Sequence, residues 1–238
     1  MNSITADRIR EAVACIAEEI NNRVRSRPKT TTCSEQELWT ELTCCVLSSQ
    51  VPYDLAKAAA QRLDEAAVLR KSGLAEQETL KRELLQLLST PFSFNDSYRR
   101  YRFPNTRASQ IAAAFCIVQE ESGSLAELLV RYPDVRCARS WLVANVPGVG
   151  PKQASMFLRY AAGSYDLAVL DRHVLHYMRT IKLCSVTNSD VTTISKYERY
   201  ETQLRRHAES LGHAVGLLDW AIWIVMRTAS RIDRRWVS

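Results

Sequence analysis

The residues best suited to chemistry lie in one stretch, WLVANVPGVGPKQASMFLRYAAGSYDLAVLDRHVLHYM, at positions 141–178. The pattern predicts a helix ending at Asn145, a tight turn through Pro147-Gly148-Val149-Gly150, and a second helix from Pro151, whose ring suits the first helical position. The two glycines allow positive φ and close backbone approach. Amide groups of Gly148, Val149 and Gly150, beside a helix N-terminus, make a site suited to an anion such as a phosphate. Lys152 falls in the first turn of the second helix. A lysine amine is a nucleophile once deprotonated, and both the positive end of a helix and burial disfavour the ammonium form. Asp171 precedes a further helical run. A carboxylate there can cap that helix, or stabilise developing positive charge and assist proton transfer. Each feature has a plainer alternative: a glycine-rich helix–helix turn, a solvated lysine, an ordinary N-cap.

The elements that must carry these residues read as helices. Ile9, Val13, Ile16, Ile20 and Val24 recur at helical spacing between Asp7 and Val24. Ser34 and Glu37 form a capping box before a second helix, which carries Leu38, Leu42, Val46 and Leu47 and ends near Ser49-Gln50. Further helices are predicted over about 53–71, 74–88, 124–131 and 135–144, through Ile111–Val118, from 172, near 190–211 and over 215–230. Strand signals are almost missing, so the expected fold class is all-α. The length fits two small helical lobes sharing a cleft. A central lobe of residues 33–165 would include the hairpin at about 141–162, and 1–32 would join 166–238 in the other.

Composition bounds the function. The chain has 238 residues, with Lys+Arg 32 against Asp+Glu 26, a net charge of +6. Its sequence pI is about 9.0. A basic balance fits a polyanionic partner, usually nucleic acid. No apolar run approaches ~20 residues, which excludes a transmembrane helix, and the N-terminus does not read as a signal peptide. Seven cysteines, at 15, 33, 44, 45, 116, 137 and 184, show no C-x-x-C spacing and read as reduced intracellular thiols, so no four-cysteine iron–sulfur loop is expected. The four histidines make no zinc pattern with them.

Val146-Pro147-Gly148-Val149-Gly150-Pro151-Lys152, followed by Asp171, resembles the helix-hairpin-helix motif and catalytic aspartate of the base-excision DNA glycosylase superfamily. Leu170-Asp171-Arg172-His173 resembles its second, mainly archaeal and bacterial, branch of 8-oxoguanine DNA glycosylase/AP lyases. The resemblance spans about Leu38 to Met226. It implies that Lys152 forms a Schiff base with the sugar, that Asp171 is the catalytic carboxylate, and that β-elimination then breaks the strand. It implies a phosphate contact for His173. Leu47-Ser48-Ser49-Gln50 resembles the segment whose amide side chain fills the gap left by a flipped base, which makes Gln50 the wedge. The stretch Tyr101–Ala108 resembles another part of this branch and implies that Arg107 contacts DNA, against the orphaned base or a phosphate. Arg99, Arg100 and Arg102 add salt-sensitive backbone attraction. Leu218-Asp219-Trp220-Ala221-Ile222-Trp223 resembles the base pocket, with Asp219 lining it and Trp223 stacking on the base. The branch commonly ends in a lysine whose terminal carboxylate reads the oxidised base. Here the last residue is Ser238, whose carboxylate would substitute unless the base is read differently. Leu55 stands where the eukaryotic enzymes place a second arginine, which implies weaker discrimination of the opposite base.

The expected activity is therefore excision of 8-oxoguanine from double-stranded DNA with strand cleavage. The expected agent is a monomer acting inside the cell on DNA, with no membrane partner, no cofactor and no catalytic metal. A monovalent ion on the hairpin carbonyls would be structural. Two alternatives stand beside this reading: an endonuclease III-like glycosylase for oxidised pyrimidines, and a non-catalytic helix-hairpin-helix DNA-binding module.

Overall fold

The computed structural model describes residues 5–26, 33–71, 76–185 and 191–232. Among these the chain is helical, with one two-stranded antiparallel ribbon. It divides into two compact units, one of Thr32–Ala162 and one of Met1–Thr31 with Gly163–Ser238.

The first unit holds α2 (Glu35–Leu47), α3 (Tyr53–Glu65), α4 (Val68–Lys71), α5 (Gln77–Ser89), β1 (Phe92–Phe94), β2 (Ser97–Arg99), α6 (Pro104–Ser122), α7 (Leu125–Arg131), α8 (Val135–Asn145) and α9 (Pro151–Ala162). Ser34 and Glu37 close the expected capping box on α2, each accepting a backbone N–H at the helix start. Leu38, Leu42 and Leu47 from α2 are buried, as are Leu80, Leu84 and Leu88 from α5 and Phe157 and Leu158 from α9. α2 packs on α3, α6, α7 and α9, and α8 packs on α9. The helix predicted over 53–71 is instead broken, because Ala67 takes φ 55 between α3 and α4. The ribbon was not expected. Its strands pair Phe92 with Arg99 and Phe94 with Ser97, and Asn95 and Asp96 supply consecutive positive φ values of 48 and 58. Those values are what a two-residue hairpin turn of the right twist requires.

The second unit holds α1 (Ala6–Ser26), α10 (Arg172–Thr180), α11 (Ile194–Ser210) and α12 (Val215–Ile232). α12 packs on α1, α10 and α11. Ile9, Val13 and Ile20 of α1 meet Leu217, Leu218 and Ile222 of α12, with Tyr177 and Tyr197, in one buried cluster. The extended segment 163–171 leads into α10 and lies close against α12. A Cβ on Gly216 would sit 2.8 Å from the Tyr165 carbonyl oxygen, so only glycine lets the two backbones approach this closely.

Candidate active site

The hairpin between α8 and α9 forms as expected, with one difference. Gly148 takes φ 83, but Gly150 is not among the residues with positive φ. Gly150 instead immediately precedes α9, its carbonyl accepting the Ala154 N–H at 3.0 Å. The Val149 amide turns back onto the Val146 carbonyl at 3.2 Å. The Val149 and Val146 side chains are both buried. The Val149 amide is thus engaged within the turn, and no bond of that kind ties the Gly148 or Gly150 amide among the described residues. Pro151 occupies the first helical position, and Lys152 follows in the same turn, partly exposed.

Two buried groups brace that turn from below. Arg139, fully buried, donates from Nη1 to Ser155 Oγ at 3.3 Å, and Ser155 Oγ donates to the Pro151 carbonyl at 2.9 Å. Neither residue carried a sequence signal, since an arginine in a helix is ordinarily solvated. Cys45 on α2 is enclosed beneath α9. Burial, first, and then the Glu41 carboxylate push its thiol well above the ordinary range, while the Lys152 charge acts in the opposite direction. Lys152 thus lies within electrostatic reach of a buried, protonated thiol, which Glu41 Oε1 accepts as a hydrogen bond at 3.7 Å.

The expected wedge lies in the same unit. α2 ends at Leu47, earlier than predicted, and Gln50 is exposed with φ 61. The Tyr101 hydroxyl donates to the Leu47 carbonyl at 2.6 Å. Arg107, only 8% exposed, donates from Nη2 to the Ser49 carbonyl at 3.1 Å and from Nη1 to Gln110 Oε1 at 2.6 Å. Both terminal nitrogens of the guanidinium are thus engaged within the unit, while Nε has no partner among the described residues. Arg102, by contrast, is exposed and stacks 4.9 Å over the Phe103 ring, beside the exposed Arg99 and Arg100.

Asp171 belongs to the other unit and is the N-cap of α10. Its Oδ1 accepts the His173 and Val174 N–H groups at 2.8 and 2.9 Å. Capping and chemistry are therefore compatible, because Oδ2 has no partner among the described residues. The segment that delivers Asp171 is clamped at three successive amides. Ala168 N–H donates to Glu201 Oε1 at 2.7 Å, Val169 N–H to Asp219 Oδ2 at 2.6 Å, and Leu170 N–H to the Tyr197 hydroxyl at 2.8 Å. The Tyr197 hydroxyl in turn donates to the Ala168 carbonyl at 2.8 Å. Glu201 and Asp219 are 3% and 2% exposed. The structure thus gives Asp219 a backbone to hold, whereas the sequence placed it in the base pocket. Glu201 and Tyr197 were missed, although buried polar residues on a helix are a general sign that something needs a hydrogen bond.

His173 is half-buried and accepts Arg172 Nε at 3.4 Å. Burial is the main reason its imidazole is held below the ordinary value. Asp171 opposes that effect, while Arg172, Arg227 and His176 reinforce it. Arg227 also stacks 4.7 Å over the Trp223 ring, one helical turn away on α12. Asp171, His173, Arg227 and Trp223 are thereby brought into one neighbourhood, and Arg227 is a member that sequence reasoning did not name. Ser238 lies outside the described residues. Among the described residues no cluster of His, Cys, Asp or Glu could hold a metal ion.

These features are those of a helix-hairpin-helix DNA glycosylase. The family model for 8-oxoguanine DNA glycosylase matches residues 20–213, and the chain belongs to that family. The 8-oxoguanine DNA glycosylase/AP lyase of Saccharolobus solfataricus is 32% identical over 195 residues, covering 80% of this chain and 83% of that protein. The solved 8-oxoguanine DNA glycosylase of Thermotoga maritima is 26% identical with a TM-score of 0.63, covering 92% of this chain and 93% of that one. The Methanocaldococcus jannaschii 8-oxoguanine glycosylase/lyase, solved in complex with a 15mer DNA containing 8-oxoguanine, shares the fold at 21% identity and a TM-score of 0.60, covering 92% of this chain and 91% of that one.

Proposed function

We propose that this chain is a bifunctional 8-oxoguanine DNA glycosylase/AP lyase, with Lys152 as its nucleophile and Asp171 as its catalytic carboxylate. The observation that carries the reading is the family match over 20–213, which contains the hairpin, Lys152 and Asp171 together. The substrate is double-stranded DNA in which the oxidised base has been flipped out of the stack. The Lys152 amine attacks C1′ of the damaged nucleotide, the bond from C1′ to the base nitrogen breaks, and the base leaves. The sugar ring opens to give a Schiff base between C1′ and Lys152. A proton is then lost from C2′, and β-elimination expels the 3′ phosphate. Asp171 Oδ2 stabilises positive charge at the sugar and moves protons. The Gly148 and Gly150 amides and His173 hold phosphates, Gln50 fills the vacated space, and Trp223 stacks on the extruded purine.

Borohydride trapping tests this. Duplexes carrying 8-oxoguanine, thymine glycol or a plain abasic site are incubated with wild type and with Lys152→Gln. The expected result is a covalent adduct on the 8-oxoguanine and abasic duplexes that vanishes in the variant, with binding retained. An adduct on thymine glycol but not on 8-oxoguanine would transfer the chain to oxidised pyrimidines. Binding with no adduct on any duplex would leave only a DNA-binding hairpin.

A further inference from the structure

Gln50 is a strained residue in an exposed loop. Its φ of 61 is left-handed, a conformation unfavourable for a non-glycine residue that persists where surrounding groups fix it. The bond from Arg107 Nη2 to the Ser49 carbonyl, at 3.1 Å, grips the peptide that enters Gln50. Through Nη1 the same guanidinium holds Gln110 Oε1 at 2.6 Å. The Gln110 carboxamide in turn lies flat against the hairpin: a Cβ on Gly148 would meet its Oε1 at 2.7 Å and its Cδ at 2.8 Å. An unbroken chain of contacts therefore runs from Gly148 through Gln110 and Arg107 to Ser49, all within the unit Thr32–Ala162. The rigid, planar fork of an arginine can hold both ends at once, whereas a lysine would serve one.

We propose that Arg107 and Gln110 are positioning residues that couple the phosphate-binding hairpin to the wedge loop. A phosphate seated on the Gly148 amide fixes the hairpin against Gln110. Gln110 then fixes Arg107, and Arg107 fixes the peptide from which Gln50 projects. The backbone grip thereby sets where the wedge enters the duplex, and neither coupling residue touches the reacting atoms. The proposal rests on the reading of Gln50 as the wedge and of the hairpin as a phosphate site.

The test is a double-mutant cycle on single-turnover excision of 8-oxoguanine, using the full chain and melting curves on every variant. Gln50→Ala is compared in the wild-type, Gln110→Ala, Arg107→Lys and Gln110→Glu backgrounds. Gln110→Glu keeps the oxygen that accepts from Arg107. Residues that act through one network are non-additive. The expected penalty of Gln50→Ala is about tenfold in the wild-type and Gln110→Glu backgrounds, and under about threefold in Gln110→Ala and Arg107→Lys. Because each penalty is a ratio within one background, uniform losses of stability or DNA affinity cancel. An equal penalty in all four backgrounds overturns the coupling and leaves the wedge intact. If Gln50→Ala excises at the wild-type rate in the parent chain, the wedge reading fails and the coupling falls with it.

Discussion

Asp219 separates two accounts of the catalytic half that carries Asp171. If it lines the base pocket, it matters only while a base is present. If it places Asp171, it matters for every step that Asp171 serves. Its Oδ2 takes the Val169 amide at 2.6 Å, two residues before Asp171, and the side chain is 2% exposed. A hydrogen bond to a charged group contributes about 1.5–3 kcal/mol, and stranding a buried amide costs about 1–3 kcal/mol. Asp219→Ala should therefore destabilise the chain by about 2–4 kcal/mol, lowering Tm by roughly 4–16 °C at about 2–4 °C per kcal/mol for this length. Asp219→Asn keeps an oxygen acceptor and should cost only about 1 kcal/mol. The catalytic consequence is geometric, because a displacement of ~1 Å at a reacting group costs on the order of 10²-fold in rate. The assay is single-turnover kinetics at a temperature well below each variant's Tm, on an 8-oxoguanine duplex and on a duplex with a preformed abasic site. Asp219→Ala should slow both reactions by about 10²-fold, and Asp219→Asn should recover most of each. Loss of excision with a wild-type rate on the abasic site would show that Asp219 meets the base instead. Wild-type rates on both duplexes, with Tm lowered, would refute any role in placing Asp171.

Gly148→Ala should weaken duplex binding and lower Tm by a few degrees, because an alanine at φ 83 costs about 1–2 kcal/mol and its Cβ must displace Gln110. A titration of a fluorescent duplex beside a thermal melt checks both effects. Stability should also fall on acidification, and His207 contributes. Burial, then the charge of Arg10, hold its imidazole below the ordinary value, and its Nε2 lies 3.0 Å from the Tyr177 hydroxyl. A group with a depressed folded-state pKa contributes stability that is fully present above the unfolded value, about 6.5, and is lost as the pH falls through the folded value. His173 and His176 are shifted the same way, mainly by burial, so Tm should drop as the pH falls below about 6.5. His207→Gln should flatten that drop, and an unchanged slope would place the dependence elsewhere.

What could be read from the sequence, and what could not, follows from the range of the interactions involved. The hairpin, the capping box at Ser34 and the cap at Asp171 were legible because each is a local device. A glycine, a proline or a short acceptor acts on amides within a few positions of itself. The ribbon of Phe92–Arg99 is local too, yet three-residue strands carry no periodicity, and its signal rested on Asn95-Asp96 alone. The clamp on 168–170 was illegible for the opposite reason. Glu201 and Asp219 are ordinary acidic residues on amphipathic helices, and nothing near them in the chain says that they face inward toward amides 33 and 50 positions away. The inward bonds of Arg107 were illegible for the same reason. In a basic, aromatic stretch an arginine reads as a phosphate contact, and nothing nearby announces its bond to the carbonyl of Ser49, 58 residues earlier. Resemblance could nominate Lys152 and Asp171 because each stands at a short, fixed spacing from the turn or cap beside it. It could not supply the residues that hold those turns in place, since any side chain reaching the same amide from another helix would serve. Tyr197 makes the point: one phenol donates to Ala168 and accepts from Leu170, a pairing that only the packing of α11 against the segment creates. Substitutions at Glu201 and Asp219 should therefore be repaired by any acceptor of matching reach, and at Tyr197 by any hydroxyl of matching reach that can both donate and accept, whereas substitutions at Lys152 and Asp171 should admit no such repair.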